Sequence, residues 1–293
     1  MKKLDKHANQ ENVLIFLHIP KAAGSTLHRI IEKQYEPSTI FTIPSFYSSK
    51  EEFRQAAEFQ LKEIKVLKGH MFFGLHEVLP NPSTYITFLR DPVERIISHY
   101  YYVLQNPIHY LYKDVKANNM SLKEYAGSGL SLELDNGQTR FIAGFNFLDH
   151  SQPASQEMLE VAKQNLKSHF AVVGIVEEFN KSLITLRKRF DWKTPFYVKE
   201  NTTKNRLKKK IISKDTLEVI KKYNELDIEL YRYAKDIFED LVNQQDASFE
   251  REIKVFNLLN GVYQTYRGLY ASSRLAELKM MGRCQSNEVE QYF

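Results

Sequence analysis

A short loop near the N-terminus combines one lysine with a glycine and two hydroxyl residues. The segment 20–26 reads PKAAGST, and apolar residues follow it at helical spacing. The N-terminus of a helix presents unpaired N–H groups and the positive end of the helix dipole, so it binds phosphate or sulfate. Lys21 adds a full positive charge, and Ser25 and Thr26 add hydroxyl donors. The loop therefore predicts an anion-binding site, although an ordinary turn between a strand and a helix is the alternative.

The position of the lysine distinguishes this loop from the loops that bind nucleoside triphosphates. Those loops follow the pattern G-x-x-x-x-G-K-[ST], in which the lysine stands directly before the hydroxyl residue. Here Lys21 precedes Gly24, and no lysine stands before Ser25. This order argues against a P-loop kinase or other phosphotransferase, which stays open as an alternative function.

A second group of anion-binding side chains follows another apolar segment. Residues 85–90 read YITFLR, and residues 91–94 read DPVE, which is a strong signal for the start of a helix. Arg90 therefore ends a buried strand, where the ligand crevices of open α/β sheets lie, and Ser98 lies about two turns into the helix. A guanidinium and a hydroxyl suit a phosphate. Two anion sites at two strand ends predict a nucleotide with phosphates at both its 5′ and 3′ ends.

Histidines are the candidates for acid–base chemistry beside such a nucleotide. Transfer of a group to a hydroxyl requires a base that titrates near neutral pH. His70 follows a predicted strand, in the segment KGHMFFGLH at 68–76, and is a candidate for the general base. The alternative is a histidine that stabilises a turn. His76 is the second candidate on the acceptor side, whereas His18 and His99 are expected to be structural.

Apolar segments predict the elements that must position these side chains. The predicted strands are 13–19, 39–43, 66–70, 85–90, 170–176 and 196–198. The predicted helices are 25–34, 50–62, 91–104, 156–168, 179–190 and 213–242, the last with a break. Strands that are apolar throughout are typical of parallel sheets covered on both faces. We therefore expect an α/β, P-loop-like three-layer fold with a mainly parallel central sheet in residues 1–245. A helical C-terminal extension, 246–293, follows, and its apolar face predicts either docking on the main domain or self-association.

Composition argues against several other classes of protein. The 293 residues carry a net charge of +5, which is too small an excess to indicate nucleic-acid binding. Cys284 is the single cysteine, so an intrachain disulfide and a cysteine metal cluster are excluded. The apolar run 13–19 is too short for a signal peptide or a membrane span. We expect a cytoplasmic protein without a membrane-spanning segment.

At three places the sequence resembles the carbohydrate sulfotransferases that use 3′-phosphoadenosine 5′-phosphosulfate (PAPS). HIPKAAGSTL at 18–27 resembles their 5′-phosphosulfate motif, and FLRDPVERIISHYY at 88–101 resembles their 3′-phosphate motif. The segment 161–183 is similar to part of the heparan sulfate 2-O-sulfotransferases, and the 2-O- and 6-O-enzymes are the most similar group. The resemblance extends from about residue 13 to 242. It departs from the 2-O-enzymes at Lys68, where they have a histidine.

The resemblance implies a metal-free transfer of a sulfuryl group from PAPS to a carbohydrate hydroxyl, with release of adenosine 3′,5′-bisphosphate (PAP). Lys21 would contact the sulfuryl group and the bridging oxygen, and His70 would be the base. The 5′-phosphate would be held by the residues that begin the first helix, which are Ala23, Gly24, Ser25 and Thr26. The 3′-phosphate would be held by Arg90 and Ser98. A non-catalytic nucleotide- or glycan-binding protein is the other alternative.

Two further segments carry weaker expectations. The basic segment 199–210, with Lys204 and Arg206, falls where the family closes over the nucleotide. Binding of an acidic glycan and a solvated charge run are the alternatives. Residues 135–140, DNGQTR, are similar to a stretch seen in bacterial members of the family. Asn136 and Arg140 would bind the sugar there. A capped helix start with a surface ion pair is the alternative.

Overall fold

A parallel β-sheet organises the chain in the computed structural model. The structure describes residues 12–44, 47, 49–58, 61–147, 152–198 and 211–280, with side chains up to residue 270. Within these residues, the strands are β1 (Val13–Leu17), β2 (Ile40–Thr42), β3 (Val66–Gly69), β4 (Ser83–Leu89) and β5 (Phe170–Ile175). They lie in the order β2-β3-β1-β4-β5, and every neighbouring pair is parallel. The prediction of a mainly parallel central sheet is confirmed.

Helices cover both faces of this sheet. In the same residues they are α1 (Gly24–Glu32), α2 (Lys50–Ala57), α3 (Pro92–Gln105), α4 (Tyr112–Ala117), α5 (Leu122–Ala126), α6 (Gly137–Ala143), α7 (Gln156–His169), α8 (Phe179–Phe190), α9 (Lys214–Lys222), α10 (Glu225–Asn243) and α11 (Phe249–Met280). All five side chains of β1 are buried, although successive side chains of a strand point to opposite faces. Both faces are therefore covered, which confirms the predicted three-layer α/β fold.

The central strands bring the candidate residues to one edge of the sheet. β1 pairs with β3 on one side, with Leu17 opposite Gly69, and with β4 on the other. Because parallel strands have their carboxyl ends at the same edge, the segments that follow these strands meet there. The loop 20–26 follows β1, His70 follows β3, and Arg90 follows β4.

One predicted strand is wrong. Residues 196–198 are irregular rather than extended in the sheet. The backbone N–H of Tyr197 donates instead to the side-chain Oδ1 of Asn260 in α11 (2.9 Å), and Phe196 stacks on Phe256 of the same helix (5.8 Å between centroids). The apolar residues of this segment are thus buried by a helix, not by a neighbouring strand.

The predicted C-terminal helix is present as α11, and its first turns pack into the main core. Phe249, Ile253 and Phe256 are buried there, and Asn260 is 1% exposed. Other apolar side chains of the helix lie exposed; these are Val255, Leu258, Leu259, Val262, Tyr266, Leu269 and Tyr270. The domain boundary at 245 and self-association stay predictions. No helix in the described ranges is long and apolar enough to cross a bilayer.

Candidate active site

A cavity of about 990 Å³ lies at the carboxyl edge of the sheet, because its lining residues follow β1, β3, β4 and β5. The predicted donor-site residues in the described ranges all line it, and these are Lys21, Ala23, Gly24, Ser25, Thr26, Arg90 and Ser98. His70 lines it as well. The fold therefore brings together residues that are up to 77 positions apart in the chain, counting from Lys21 to Ser98.

The loop after β1 has an unusual backbone that leaves the start of α1 uncapped by a side chain. Lys21 and Ala23 have φ values of 67° and 60°, in the left-handed region that residues with a Cβ adopt at a cost. Ala23 is the N-cap of α1 and makes no side-chain cap hydrogen bond. Gly24 packs so closely on His18 that a Cβ there would lie 1.7 Å from its Nε2. This backbone directs the N-terminus of α1 at the cavity.

Arg90 is fixed from two sides. Its Nη1 donates to the carbonyl oxygen of Lys21 (3.0 Å), which connects the two predicted anion sites. The buried side chain of Gln138 accepts from the Arg90 N–H (3.0 Å) and donates to the Arg90 carbonyl (2.9 Å). The Arg90 Nε is buried and has no hydrogen-bond partner among the described residues. A buried donor without a partner suits an anionic ligand, since unpaired buried donors are costly.

His70 is held in one tautomer by the backbone. Its Nδ1 lies 2.9 Å from the carbonyl oxygen of His18. Because a carbonyl oxygen only accepts, Nδ1 carries the proton, and Nε2 is the ring nitrogen that can take up another. Burial lowers the pKa of His70 below its usual value, so the ring is neutral at pH 7. A neutral imidazole of fixed tautomer is what a general base requires.

Two further histidines support His70. The ring of His18 stacks on that of His70, with 4.1 Å between centroids. The Nδ1 of His18 lies 3.1 Å from the Nε2 of His28. Burial and the neighbouring imidazoles lower the pKa of His18. Burial, with the positive charge of Lys68, lowers the pKa of His28 to about 3. The ammonium of Lys68 is buried and lies 2.5 Å from the carboxylate of Glu32.

Glu133 forms a charged part of the cavity wall that the sequence did not reveal. Its Oε2 lies 2.9 Å from the Nε2 of His99, and its Oε1 accepts from the hydroxyl of Tyr110 (3.3 Å). Burial alone would raise the pKa of Glu133, but His99 and then Arg95 hold it at about 2. The Nδ1 of His99 lies 2.6 Å from the hydroxyl of Tyr125. His99 is therefore buried, and it also faces the cavity.

Tyr102 and Asn257 are further wall residues that no local sequence signal singled out. Tyr102, in α3, places its ring 3.7 Å from the Nζ of Lys21. Asn257, in α11, accepts from the side-chain amide of Asn180 (2.6 Å). The Oδ1 of Asn180 in turn accepts from the hydroxyl of Tyr197 (2.7 Å). The first turns of α11 thus complete the cavity.

The predicted acceptor residues do not reach this cavity. The Nδ1 of His76 lies 3.0 Å from the hydroxyl of Tyr85. The Oδ1 of Asn136 accepts from the backbone N–H of residues 226 and 227 at the start of α10. Arg140 is 2% exposed and pairs with Asp135 at 2.5 Å. Asn136 and Arg140 therefore hold the fold together. Lys204 and Arg206 lie outside the described residues.

The fold and the cavity define a parallel α/β protein in which Lys21, His70 and Arg90 meet at the carboxyl edge of the sheet. A model described as the sulfotransferase family matches residues 7–234. The chain belongs to the sulfotransferase family.

The names of two similar proteins refer to carbohydrates. Over 203 residues the chain is 28% identical to heparan-sulfate 6-O-sulfotransferase 1 of Cricetulus griseus, an alignment that covers 60% of this chain and 48% of the relative. It is 24% identical over 196 residues to galactose-3-O-sulfotransferase 2 of Mus musculus, covering 61% and 49%. The chain thus spans about half the length of these relatives. Mouse sulfotransferase SULT7A1 complexed with PAP superposes with a TM-score of 0.28 at 15% identity, covering 80% of this chain and 90% of that one.

Proposed function

We propose that this protein transfers a sulfuryl group from PAPS to a hydroxyl of a carbohydrate acceptor. The observation that carries the proposal is the cavity in which Lys21, His70 and Arg90 meet at the ends of three neighbouring strands. Membership of the sulfotransferase family supports the donor, and the names of the relatives support the acceptor class.

The residues of the cavity suit the two ends of PAPS. Gly24, Ser25 and Thr26, with Ala23, would bind the 5′-phosphate at the N-terminus of α1. Arg90, with its buried Nε, and Ser98 would bind the 3′-phosphate. In the described part of the chain, no group of three or more histidine, cysteine or carboxylate side chains is arranged to hold a metal ion. That the reaction needs no metal remains part of the proposal.

The reaction is an in-line displacement at sulfur. The acceptor oxygen forms a bond to sulfur while the bond between sulfur and the bridging phosphate oxygen breaks. The acceptor proton passes to the Nε2 of His70, and PAP leaves with the bonding electrons. Lys21 and the N–H groups of α1 stabilise the negative charge that grows on the leaving oxygen, which is the usual role of fixed cations and dipoles at such sites.

The test compares two histidine variants in a transfer assay with labelled PAPS and desulfated polysaccharides. His70→Ala should lower kcat by about 10²–10⁴-fold, the usual contribution of a general base, while PAP binding persists. His76→Ala, which lies outside the cavity, is the matched control and should keep its activity. Near wild-type turnover by His70→Ala would refute the base. Thermal stabilisation by ATP with magnesium but not by PAP would instead favour a phosphotransferase.

A further inference from the structure

The cavity contains an aromatic contact to Lys21 that the proposed chemistry has not used. The Nζ of Lys21 lies 3.7 Å from the centroid of the Tyr102 ring, which is the geometry of a cation–π interaction. Tyr102 lies one turn after Ser98 on α3 and also lines the cavity. The ring therefore reaches the loop after β1 from the helix that carries a predicted 3′-phosphate residue.

The backbone conformation of Lys21 is well defined, but it does not by itself determine where the side-chain ammonium lies. Lys21 has a φ of 67°, and its carbonyl oxygen accepts from Arg90 at 3.0 Å. A lysine side chain has a flexible stem of four carbons, so a fixed Cα alone does not determine the position of the ammonium. The Tyr102 ring supplies a surface against which the ammonium can rest.

The ring itself is held from its far end. The side-chain amide of Asn106, the residue that follows the last turn of α3, donates to the hydroxyl of Tyr102 (2.9 Å). The face of the ring and its hydroxyl thus have separate partners, the lysine ammonium and the asparagine amide. Substitutions can separate the two contacts.

We propose that Tyr102 is a positioning residue whose ring holds the Lys21 ammonium where negative charge grows on the leaving phosphate oxygen. This role rests on the proposed function. It stabilises the transition state more than the bound nucleotide, so its loss lowers kcat more than it weakens PAP binding. The hydroxyl of Tyr102 anchors the ring and takes no part in the chemistry.

A double-mutant cycle tests this role. Tyr102→Leu should lower kcat by about tenfold, whereas Tyr102→Phe, which keeps the ring, should stay within about threefold of wild type. Both should bind PAP within about threefold of the wild-type Kd by calorimetry. In a Lys21→Met background, Tyr102→Leu should cause no further loss, because the two residues act as one unit. A purely structural tyrosine would cause the same factor of loss in both backgrounds, and that result would overturn the proposal.

A labelling experiment reports the contact without turnover. The rate at which acetic anhydride modifies Lys21, measured by mass spectrometry, should rise in Tyr102→Leu and stay unchanged in Tyr102→Phe. Equal rates in all three proteins would show that the ring does not cover the ammonium, which also overturns the proposal. No transfer by the wild-type chain overturns the proposed function, whereas transfer with independent losses in the cycle overturns only the role of Tyr102.

Discussion

An alanine at position 24 would place a methyl group against the ring of His18. The Cβ would lie 1.7 Å from Nε2 and 2.1 Å from two ring carbons, whereas ordinary contact begins at about 3.4 Å. The ring would have to retreat by about 1.7 Å. It cannot do so freely, because it stacks on His70 and is hydrogen-bonded to His28. Either the imidazole or the N-terminus of α1 must therefore move.

The expected cost of Gly24→Ala follows from this overlap. Overpacking of a tight interior costs about 1–3 kcal/mol. For chains of about 150–250 residues, each kcal/mol of lost stability lowers the melting temperature by about 2–4 °C. The melting temperature of Gly24→Ala should therefore fall by about 2–12 °C. If the His18 ring or the N-terminus of α1 moves by more than 1 Å beside the loop 20–26, kcat should fall by about 10²-fold.

Calorimetric unfolding and the transfer assay measure these two effects. Gly261→Ala in α11 is the matched control, because a Cβ there meets nothing within 4 Å; it should leave turnover unchanged and should not lower the melting temperature. His18→Ala removes the obstructing ring, so the double variant with Gly24→Ala should be more stable than the sum of the single losses by about 0.5–3 kcal/mol. Wild-type melting temperature and turnover in Gly24→Ala would refute the packing argument.

Three further predictions concern neighbouring residues. Gln138→Leu removes both hydrogen bonds to the backbone of Arg90, and calorimetry should show a rise of about tenfold in the Kd for PAP with a smaller change in melting temperature. Arg140→Ala removes a buried side chain that donates to Asp135 and to the carbonyl oxygen of Gln152, so denaturant unfolding should show a loss of about 1–3 kcal/mol; a changed acceptor KM at unchanged stability would instead support a role in acceptor binding. His28 has a folded-state pKa of about 3, whereas the unfolded chain takes up the proton near 6.5. Stability should therefore fall as the pH drops from 6.5 towards 3, by at most about 1.4 kcal/mol per pH unit for this residue, and His28→Gln should reduce the slope; an unchanged slope contradicts the assignment.

The elements that the sequence predicted well are those with a local cause. Residues 91–94 start a helix where expected, because the Asp91 side chain accepts from the N–H of Glu94 at 2.9 Å within the same turn. The runs at β1 and β5 are apolar on both faces, which indicates a covered sheet. The segment 196–198 shows the limit, since an apolar pattern indicates burial but does not identify the covering element. The partner of this segment is α11, more than fifty residues away.

That Lys21, Arg90 and Ser98 would meet in one cavity could be predicted, because they lie in short segments at strand ends. Glu133 and Tyr102 could not, because they reach the cavity only through the packing of distant helices. Arg140, which the sequence predicts at the acceptor site, shows a related limit. A polar residue type indicates that hydrogen bonds will be made, but not whether the partner is a ligand or the protein, and here the partner is Asp135.

The strand order has a consequence for how the protein folds. Leu14 pairs with Val66 on one side and with Thr84 on the other. β4 also pairs with β5, which begins only at Phe170. Contacts between such distant segments close large loops, so folding is slow. The edge where the three donor-site segments meet exists only after these pairings have formed. A ligand of this edge binds the native chain and not its precursors, so PAP should raise the yield of refolding by mass action and act as a probe of the final assembly step.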